Sequence, residues 1–191
     1  MLDILKTICA ISDGGKYFAE RGYGMKKNKT RKVAFLGLLF ALAIALSYLE
    51  SLIPSFVAVP GIKLGLSNTV VMYCLFFVGP LPALVIAVLK AVFVLITRGF
   101  AAGMLSAAGG MCSAGVMILL NKLKSSKGAI SVAGAVTHNV GQLAVAWLIL
   151  SSPAVLYYAP VLILSGVVMG IVTAVVLKLV LPALSRINKY E

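Results

Sequence analysis

The chain has 191 residues, of which 61% are hydrophobic and only 12% charged, whereas soluble domains are about half apolar and about a quarter charged. A soluble fold of this composition would lack the polar residues to cover its surface, so the sequence predicts a protein embedded in a lipid bilayer. The net charge is +12, from 17 Lys and Arg against 5 Asp and Glu. Because the basic residues cluster between apolar segments, they indicate cytoplasmic loops of a membrane protein rather than a nucleic-acid surface.

The first 32 residues are polar and end in the basic run KKNKTRK, Lys26–Lys32. No apolar stretch of the signal-peptide type precedes this run. Met25 lies directly before it, so residues 1–24 are either an extension from an upstream start or a short interfacial segment, and the sequence leaves both open. We expect residues 1–32 to form a basic cytoplasmic tail.

Six apolar segments follow, with prolines at or near their ends. Proline cannot continue a helix, and each segment has close to the ~20 residues that a spanning helix needs. No segment shows the alternation of period two that a membrane barrel requires. The sequence therefore predicts an all-α bundle of six transmembrane helices, with Pro182 ending the last one. The predicted helices cover about residues 33–52, 64–79, 81–98, 103–120, 129–150 and 159–181.

The basic residues also predict the orientation of the bundle. Lysine and arginine concentrate before the first helix, after the fourth and after the sixth, and these regions share one side if the chain crosses six times. The other side carries only Lys63 and Arg98. We therefore expect a multi-pass protein of the plasma membrane with both termini cytoplasmic. Its predicted parts are the tail of residues 1–32, a transmembrane domain at 33–184 and a short cytoplasmic tail at 185–191.

Two of the predicted helices are rich in small residues, which let neighbouring helices approach closely. In the first helix Gly37, Ala41 and Ala45 are four residues apart and share one face. Packing within the bundle is the plainer interpretation of this face, and docking of a partner is the other. The fourth helix, at 103–120, has so little side-chain bulk that we expect it to be surrounded by neighbours, or to hold its backbone close to a ligand.

Polar side chains inside the apolar segments are the candidate functional residues. A charged group at the centre of a membrane helix costs about 2.5 kcal/mol or more, so it is expected to face the bundle interior or a wet cavity. Lys90 lies in the middle of the third helix, and Glu50 is the one acidic residue of the apolar part of the chain. Lys63, Lys90 and Arg98 compete for that single carboxylate.

This excess of positive charge predicts an outward-opening cavity that binds an anionic or strongly polar small ligand, with a structural ion pair as the alternative. In this hypothesis the three cations counter an anion, amide and imidazole groups supply hydrogen bonds, and Glu50 orients a cation or a ligand donor. His138 and Gln142 lie one turn apart on one face. The predicted substrate-binding residues are Lys90, Glu50, Lys63, Asn68, Arg98, His138 and Asn139.

Several kinds of chemistry are excluded by what the sequence lacks. No phosphate-binding loop of the type GxxxxGK[ST] occurs, so the chain does not drive ATP-powered transport alone. Asp3 and Asp13 are the only aspartates, whereas Mg²⁺-dependent diphosphate chemistry needs clustered carboxylates. Cys9, Cys74 and Cys112 have no metal-ligand spacing, and we expect buried, inert thiols. The chain is therefore expected to be a binding subunit without cofactor, metal or catalytic residues.

Two stretches resemble a known bacterial membrane family: SYLESLIPSFVAVPGIKLGLSN, Ser47–Asn68, and ITRGFAAGMLSAAGGMCSAGVM, Ile96–Met117. The family is known both as the Gx transporter family and as heptaprenyl diphosphate synthase component I, and the likeness covers residues 33 to about 182. This family is similar to the substrate-binding S components of energy-coupling factor (ECF) transporters, which are six-helix proteins. In these, an AxxxA face on the first helix docks a coupling transmembrane subunit served by two ATPases. Ala41 and Ala45 match that pattern, and Gly37 extends it.

The resemblance implies a substrate-capture subunit of an ECF-type transporter for a small, anionic ligand. The second family name implies an alternative, a non-catalytic membrane component that partners a catalytic polyprenyl diphosphate synthase in making quinone side chains. The DDxxD motif of such synthases cannot be present with two aspartates ten residues apart. Substrate, transport direction, oligomeric state and the choice between the two roles stay open.

Overall fold

The computed structural model describes residues 29–52 and 66–187, which form six α-helices and one short 3-10 helix. No strand occurs in these residues, so the prediction of an all-α chain is confirmed for them. The 3-10 helix Pro153–Tyr158 precedes the last α-helix. The α-helices are α1 Lys29–Leu52, α2 Leu66–Phe77, α3 Pro80–Arg98, α4 Phe100–Lys122, α5 Lys127–Leu150 and α6 Ala159–Ile187.

Five of these helices are long and apolar enough to cross a membrane, which indicates a multi-pass membrane protein. The apolar windows are 33–50, 80–98, 100–122, 127–150 and 153–178. Helix α2 is different, because its 12 residues extend only about 18 Å at the helical rise, against a hydrocarbon core of about 30 Å. The first turn of α2 is buried at Ser67 and Asn68, so this short helix begins inside the bundle.

The prolines at the starts of α3 and α6 lie at helix boundaries, as the sequence predicts, whereas Pro182 lies within a helix. Pro80 opens α3 and Pro160 is the second residue of α6, positions where a missing N–H leaves no hydrogen bond unmade. The prediction that Pro182 ends the last helix is wrong, since α6 continues to Ile187. A proline removes one backbone donor, and membrane helices tolerate that loss in their interior. Between α3 and α4 the chain turns at Gly99, whose φ of 88° lies in the left-handed region that favours glycine.

Side-chain contacts show which helix ends lie together. The side chain of Arg98, at the end of α3, contacts the carbonyl of Ser47 near the end of α1. At the opposite end, the ammonium of Lys127 at the start of α5 lies over the ring of Phe76 near the end of α2, 5.6 Å from its centroid. Exposed aromatic residues gather at the end marked by Arg98, which is typical of a membrane interface. They are Tyr48, Phe100, Trp147 and Tyr157.

The main apolar core lies toward the end marked by Lys127. It joins buried side chains such as Ala43 of α1, Val71 and Cys74 of α2, Ile86 of α3 and Met117 of α4. A smaller apolar cluster of Leu143, Val155 and Leu162 lies at the other end, between α5, the 3-10 helix and α6. The buried polar side chains of the bundle lie between these two apolar regions, near the middle of the long helices.

The small-residue face of α1 does not pack inside the described bundle. Gly37, Ala41 and Ala45 are all exposed, and a Cβ added at Gly37 would meet nothing within 4 Å. The opposite face of α1 is the buried one, with Ala43 fully buried. Packing within the bundle is therefore the wrong interpretation of this face, because the apolar core draws in the opposite side of the helix.

Helix α4 packs closely on one side only. A Cβ added at Gly109 would lie 2.8 Å from Cγ of Gln142 and 2.9 Å from Cε1 of His138, so only glycine allows α5 this close. On the other side of α4, Cys112 and Gly115 are exposed. The expectation of a helix surrounded by neighbours is thus wrong for that face. The same exposure corrects the expectation of buried thiols, which holds for Cys74 but not for Cys112, while Cys9 lies outside the described residues.

Candidate functional site

The buried lysine of α3 is joined to the buried glutamate of α1 through a serine of α2. The ammonium of Lys90 donates a hydrogen bond to Oγ of Ser67 over 3.0 Å, and the Ser67 hydroxyl donates to Oε2 of Glu50 over 3.4 Å. All three side chains are buried: Lys90 and Ser67 are each 3% exposed and Glu50 is 7% exposed. Lys90 therefore faces the interior, where a hydroxyl and a carboxylate offset the cost of burying its charge.

Glu50 also caps the start of α2. Its Oε1 accepts a hydrogen bond from the backbone N–H of Leu66, the first residue of that helix. The first turn of α2 has no acidic residue of its own, and the N-terminal end of a helix carries partial positive charge. Because α2 begins inside the bundle, Glu50 satisfies a helix end that has little access to water. Its role is thus partly structural, in addition to the ligand contact that the sequence predicts.

A cavity of about 40 Å³ lies beside this network. Since a buried water needs about 10–15 Å³ by the same measure, the cavity has room for about three water molecules or a small polar group. Ser106 of α4 and His138 of α5 complete its wall together with Gln142, Lys90 and Glu50. Gln142 is only 7% exposed, and its Oε1 is buried with no hydrogen-bond partner. The wall of the cavity thus includes a residue with an unsatisfied buried acceptor.

A second, smaller cavity of about 10 Å³ lies on the far side of His138. Asn68 and Asn139 border it, as does Thr173 of α6. Asn68 donates from Nδ2 to Oγ of Ser113 over 2.9 Å, whereas its Oδ1 is buried without a partner. His138 borders both cavities, so the two form one polar layer across the bundle.

The side chain of Asn139 connects α5 to α6 by hydrogen bonds. Its Nδ2 donates to the carbonyl of Leu162 over 2.8 Å and to Oγ of Ser165 over 3.2 Å. Both acceptors belong to α6. The amide nitrogen of Asn139 is thus engaged between helices, which is a packing role, although the residue still borders the smaller cavity.

Of the remaining predicted site residues, Arg98 binds the backbone of Ser47, a residue that lines the larger cavity, and Lys63 is not among the described residues. Arg98 donates from Nη2 to the backbone carbonyl of Ser47 over 2.6 Å, and it borders neither cavity. This hydrogen bond connects the end of α3 to α1.

Sequence reasoning did not assign Ser67, Ser106 and Ser113 to the site, and it named Gln142 as an inward-facing polar residue without including it among the substrate-binding residues. Serine is frequent in membrane helices as a packing residue, so its presence in an apolar segment carries little information. Two weak signals exist: Ser67 directly precedes Asn68, and Gln142 follows His138 by one helical turn. Which of the serines meets a charge depends on the packing of α2 against α1 and α3. Among the described residues no group of three His, Cys, Asp or Glu is placed to hold a metal ion.

A family model described as heptaprenyl diphosphate synthase component I matches residues 39–180. The chain belongs to the heptaprenyl diphosphate synthase component I family. No curated protein and no solved structure gives a significant match, and no comparison shows a likeness to the S components of ECF transporters. The matched region of this component I chain includes Glu50, Ser67, Lys90 and the residues around both cavities.

Proposed function

We propose that the chain is a non-catalytic membrane subunit of a polyprenyl diphosphate synthase, which binds a diphosphate-bearing ligand at Lys90. The observation that carries the proposal is the buried Lys90 beside a polar cavity, in a chain of the component I family. A polyprenyl diphosphate joins a long apolar chain to a strongly anionic head. The apolar chain partitions into lipid, and the head needs a cation such as a lysine ammonium.

The chemistry of chain elongation would belong to a partner subunit. Metal-assisted diphosphate chemistry needs clustered carboxylates, and Glu50 is the only carboxylate among the described residues. In this proposal component I holds the growing or finished product at the membrane, while a catalytic subunit with aspartate-rich motifs performs the reaction.

The exposed face of α1 formed by Gly37, Ala41 and Ala45 is the proposed contact with that partner. Small residues four apart let a second helix approach the α1 backbone closely, and the face is free of contacts from the described helices. We also propose that both termini are cytoplasmic in the plasma membrane, because Lys122 and Lys124 lie at the end of the bundle opposite the exposed aromatic residues. Because the face of Gly37, Ala41 and Ala45 lies within the apolar window 33–50, the partner would reach it with a membrane-embedded helix.

A second candidate function is substrate capture for an ECF-type transporter, with a coupling transmembrane subunit and two ATPases as partners. Two observations favour it: the unpartnered, buried Oε1 of Gln142, a residue that lines the larger cavity, and the exposed face of α1, which suits a coupling subunit equally well. Affinity purification of the tagged chain from its native membrane separates the two functions. An aspartate-rich prenyl synthase among the retained proteins supports the first proposal, and a coupling subunit with ATPases supports the second.

Lys90→Met tests the ligand site directly. Methionine keeps much of the side-chain volume and removes the charge, so we expect binding of farnesyl diphosphate to weaken by at least about tenfold, since a charge-assisted hydrogen bond contributes about 1.5–3 kcal/mol. The measurement is isothermal titration with the purified protein in lipid nanodiscs. Lys178→Met, at an exposed lysine of α6, is the matched control and should bind like the original chain. Equal affinity in both variants would refute a role for Lys90 in ligand binding.

A further inference from the structure

We propose that the carboxylate of Glu50 occupies the position of an anionic ligand, so that a diphosphate binds beside Lys90 only by displacing it. This inference rests on the proposed function and adds a means of regulation to the same site. Three features of the structure support it: the surroundings of the Glu50 carboxylate, the unpaired acceptor of Gln142, and the balance of charges.

The surroundings of the Glu50 carboxylate have the chemistry of an anion site. The carboxylate receives the backbone N–H of Leu66 at the start of α2 and the hydroxyl of Ser67, and the ammonium of Lys90 is bound to the same hydroxyl. A helix N-terminus, a hydroxyl and a lysine are the donors that proteins use to bind phosphate groups. In this chain the group that they hold is an internal carboxylate.

The cavity beside the carboxylate supplies space and a second contact. The 40 Å³ cavity borders Glu50 and Lys90, so a ligand group entering it would touch both charged residues. Gln142 lines the same cavity and its buried Oε1 has no hydrogen-bond partner, so its amide is a candidate contact for a hydroxyl or a protonated phosphate oxygen of the entering group. A diphosphate is larger than the roughly three water molecules for which this space has room, so a side chain of the wall has to move for it to enter, and in our inference that side chain is Glu50.

The charges explain why Glu50 would restrain binding. Lys90 is shared between the carboxylate and any entering anion, and two anions held close together repel each other strongly. The internal carboxylate thus balances the charge of Lys90 and closes the site to weak anions, while a diphosphate, with its greater charge, competes successfully. Removal of the carboxylate charge should open the site.

The test is titration of the full chain in nanodiscs with inorganic diphosphate and, separately, with farnesyl diphosphate. We expect Glu50→Gln to bind both probes at least about tenfold more tightly than the original chain, because the variant lacks the like charge. Glutamine retains an oxygen that can accept from the N–H of Leu66. In Glu50→Gln/Lys90→Met the gain should disappear. Glu191→Gln, the same substitution at the last residue of the chain, is the matched control and should bind as the original chain does.

The possible results separate the inference from the proposed function. If the original chain binds a probe, Lys90→Met loses that binding and Glu50→Gln shows no gain, displacement of Glu50 is refuted while the ligand site stands. If neither the original chain nor Glu50→Gln binds either probe, both proposals are overturned. Should Glu50→Gln fail to purify as a folded protein, Glu50→Asn replaces it. Its side chain is also uncharged and is too short to hold the N–H of Leu66, and binding no tighter than in the original chain would overturn the inference.

Discussion

At the scale of single residues, one hydroxyl connects the two charges at the centre of the bundle. Ser67 accepts from Lys90 and donates to Glu50, so each charge has a hydrogen-bonding partner although all three side chains are buried. Such a network is costly to disturb, because removal of one member leaves the others without partners in a medium of low polarity. The site thus depends on a residue type that carries almost no signal in a membrane sequence.

Ser67→Ala should destabilise the chain by about 1–3 kcal/mol, the usual cost of leaving buried polar groups without a hydrogen bond. Reversible unfolding in mixed micelles measures the change in the free energy of unfolding. Ser106→Ala is the control, since Ser106 is another buried serine that borders the same cavity. A loss in Ser67→Ala no larger than in Ser106→Ala would show that the bridge does not stabilise the bundle.

At the scale of helices, close packing depends on glycines that face a neighbouring backbone. A Cβ added at Gly170 of α6 would lie 2.5 Å from the Cα of Val132 on α5, and that backbone atom cannot swing away. This close contact limits the distance between α5 and α6, two of the three helices that line the smaller cavity, the third being α2.

Gly170→Ala should lower stability by about 1–3 kcal/mol, which is typical of overpacking in a tight interior. Gly115→Ala on α4 is the matched control, because its added Cβ meets nothing within 4 Å. Alanine is also the better helix former, so the control should be unchanged or gain up to about 1 kcal/mol. Thermal unfolding of the two variants in detergent compares them, and equal melting temperatures would contradict the close approach of α5 and α6.

The two faces of α1 should respond differently to larger side chains. Ala41→Leu with Ala45→Leu adds bulk on the exposed face, so we expect an unchanged melting temperature and loss of the co-purifying partner. Ala43→Leu, on the fully buried face, should instead destabilise the fold by about 1–3 kcal/mol through overpacking. Quantitative mass spectrometry of the retained proteins measures the first effect. Full retention of the partner by the double variant would exclude this face as the docking surface.

At the scale of the whole molecule, the two ends of the bundle differ in chemistry. One end carries exposed aromatic side chains, among them Tyr157, which is 84% exposed. The other carries Lys122 at the end of α4 and Lys124 in the loop between α4 and α5. This asymmetry is typical of a multi-pass protein whose basic end faces the cytoplasm.

Cysteine labelling tests that orientation. In a variant without native cysteines, Tyr157→Cys should react in intact cells with a thiol reagent that cannot cross the membrane. Lys124→Cys should react only after the cells are opened. Both positions are exposed, so a difference in labelling reports the side of the membrane rather than burial. The reverse labelling pattern would invert the proposed topology.

The sequence alone determined the helical class and most helix boundaries, because hydrophobicity and proline act locally along the chain. It also predicted that Lys90 and Glu50 face the interior, since exposing a charge to lipid costs free energy wherever the fold places it. The second helix shows the limit: its first turn is polar in sequence, but nothing local reveals that it starts inside the bundle next to Glu50.

Only the tertiary structure decided which polar residues meet. It joined Lys90 to Glu50 through Ser67, placed Gln142 at the same cavity, engaged Asn139 with α6 and bound Arg98 to the carbonyl of Ser47. It also showed that α1 buries the face of Ala43 and exposes the face of Ala41. Both faces of α1 are apolar enough for lipid or protein, so the choice between them rests on how neighbouring helices fit. That fit depends on contacts between residues far apart in the chain, which local sequence patterns do not encode.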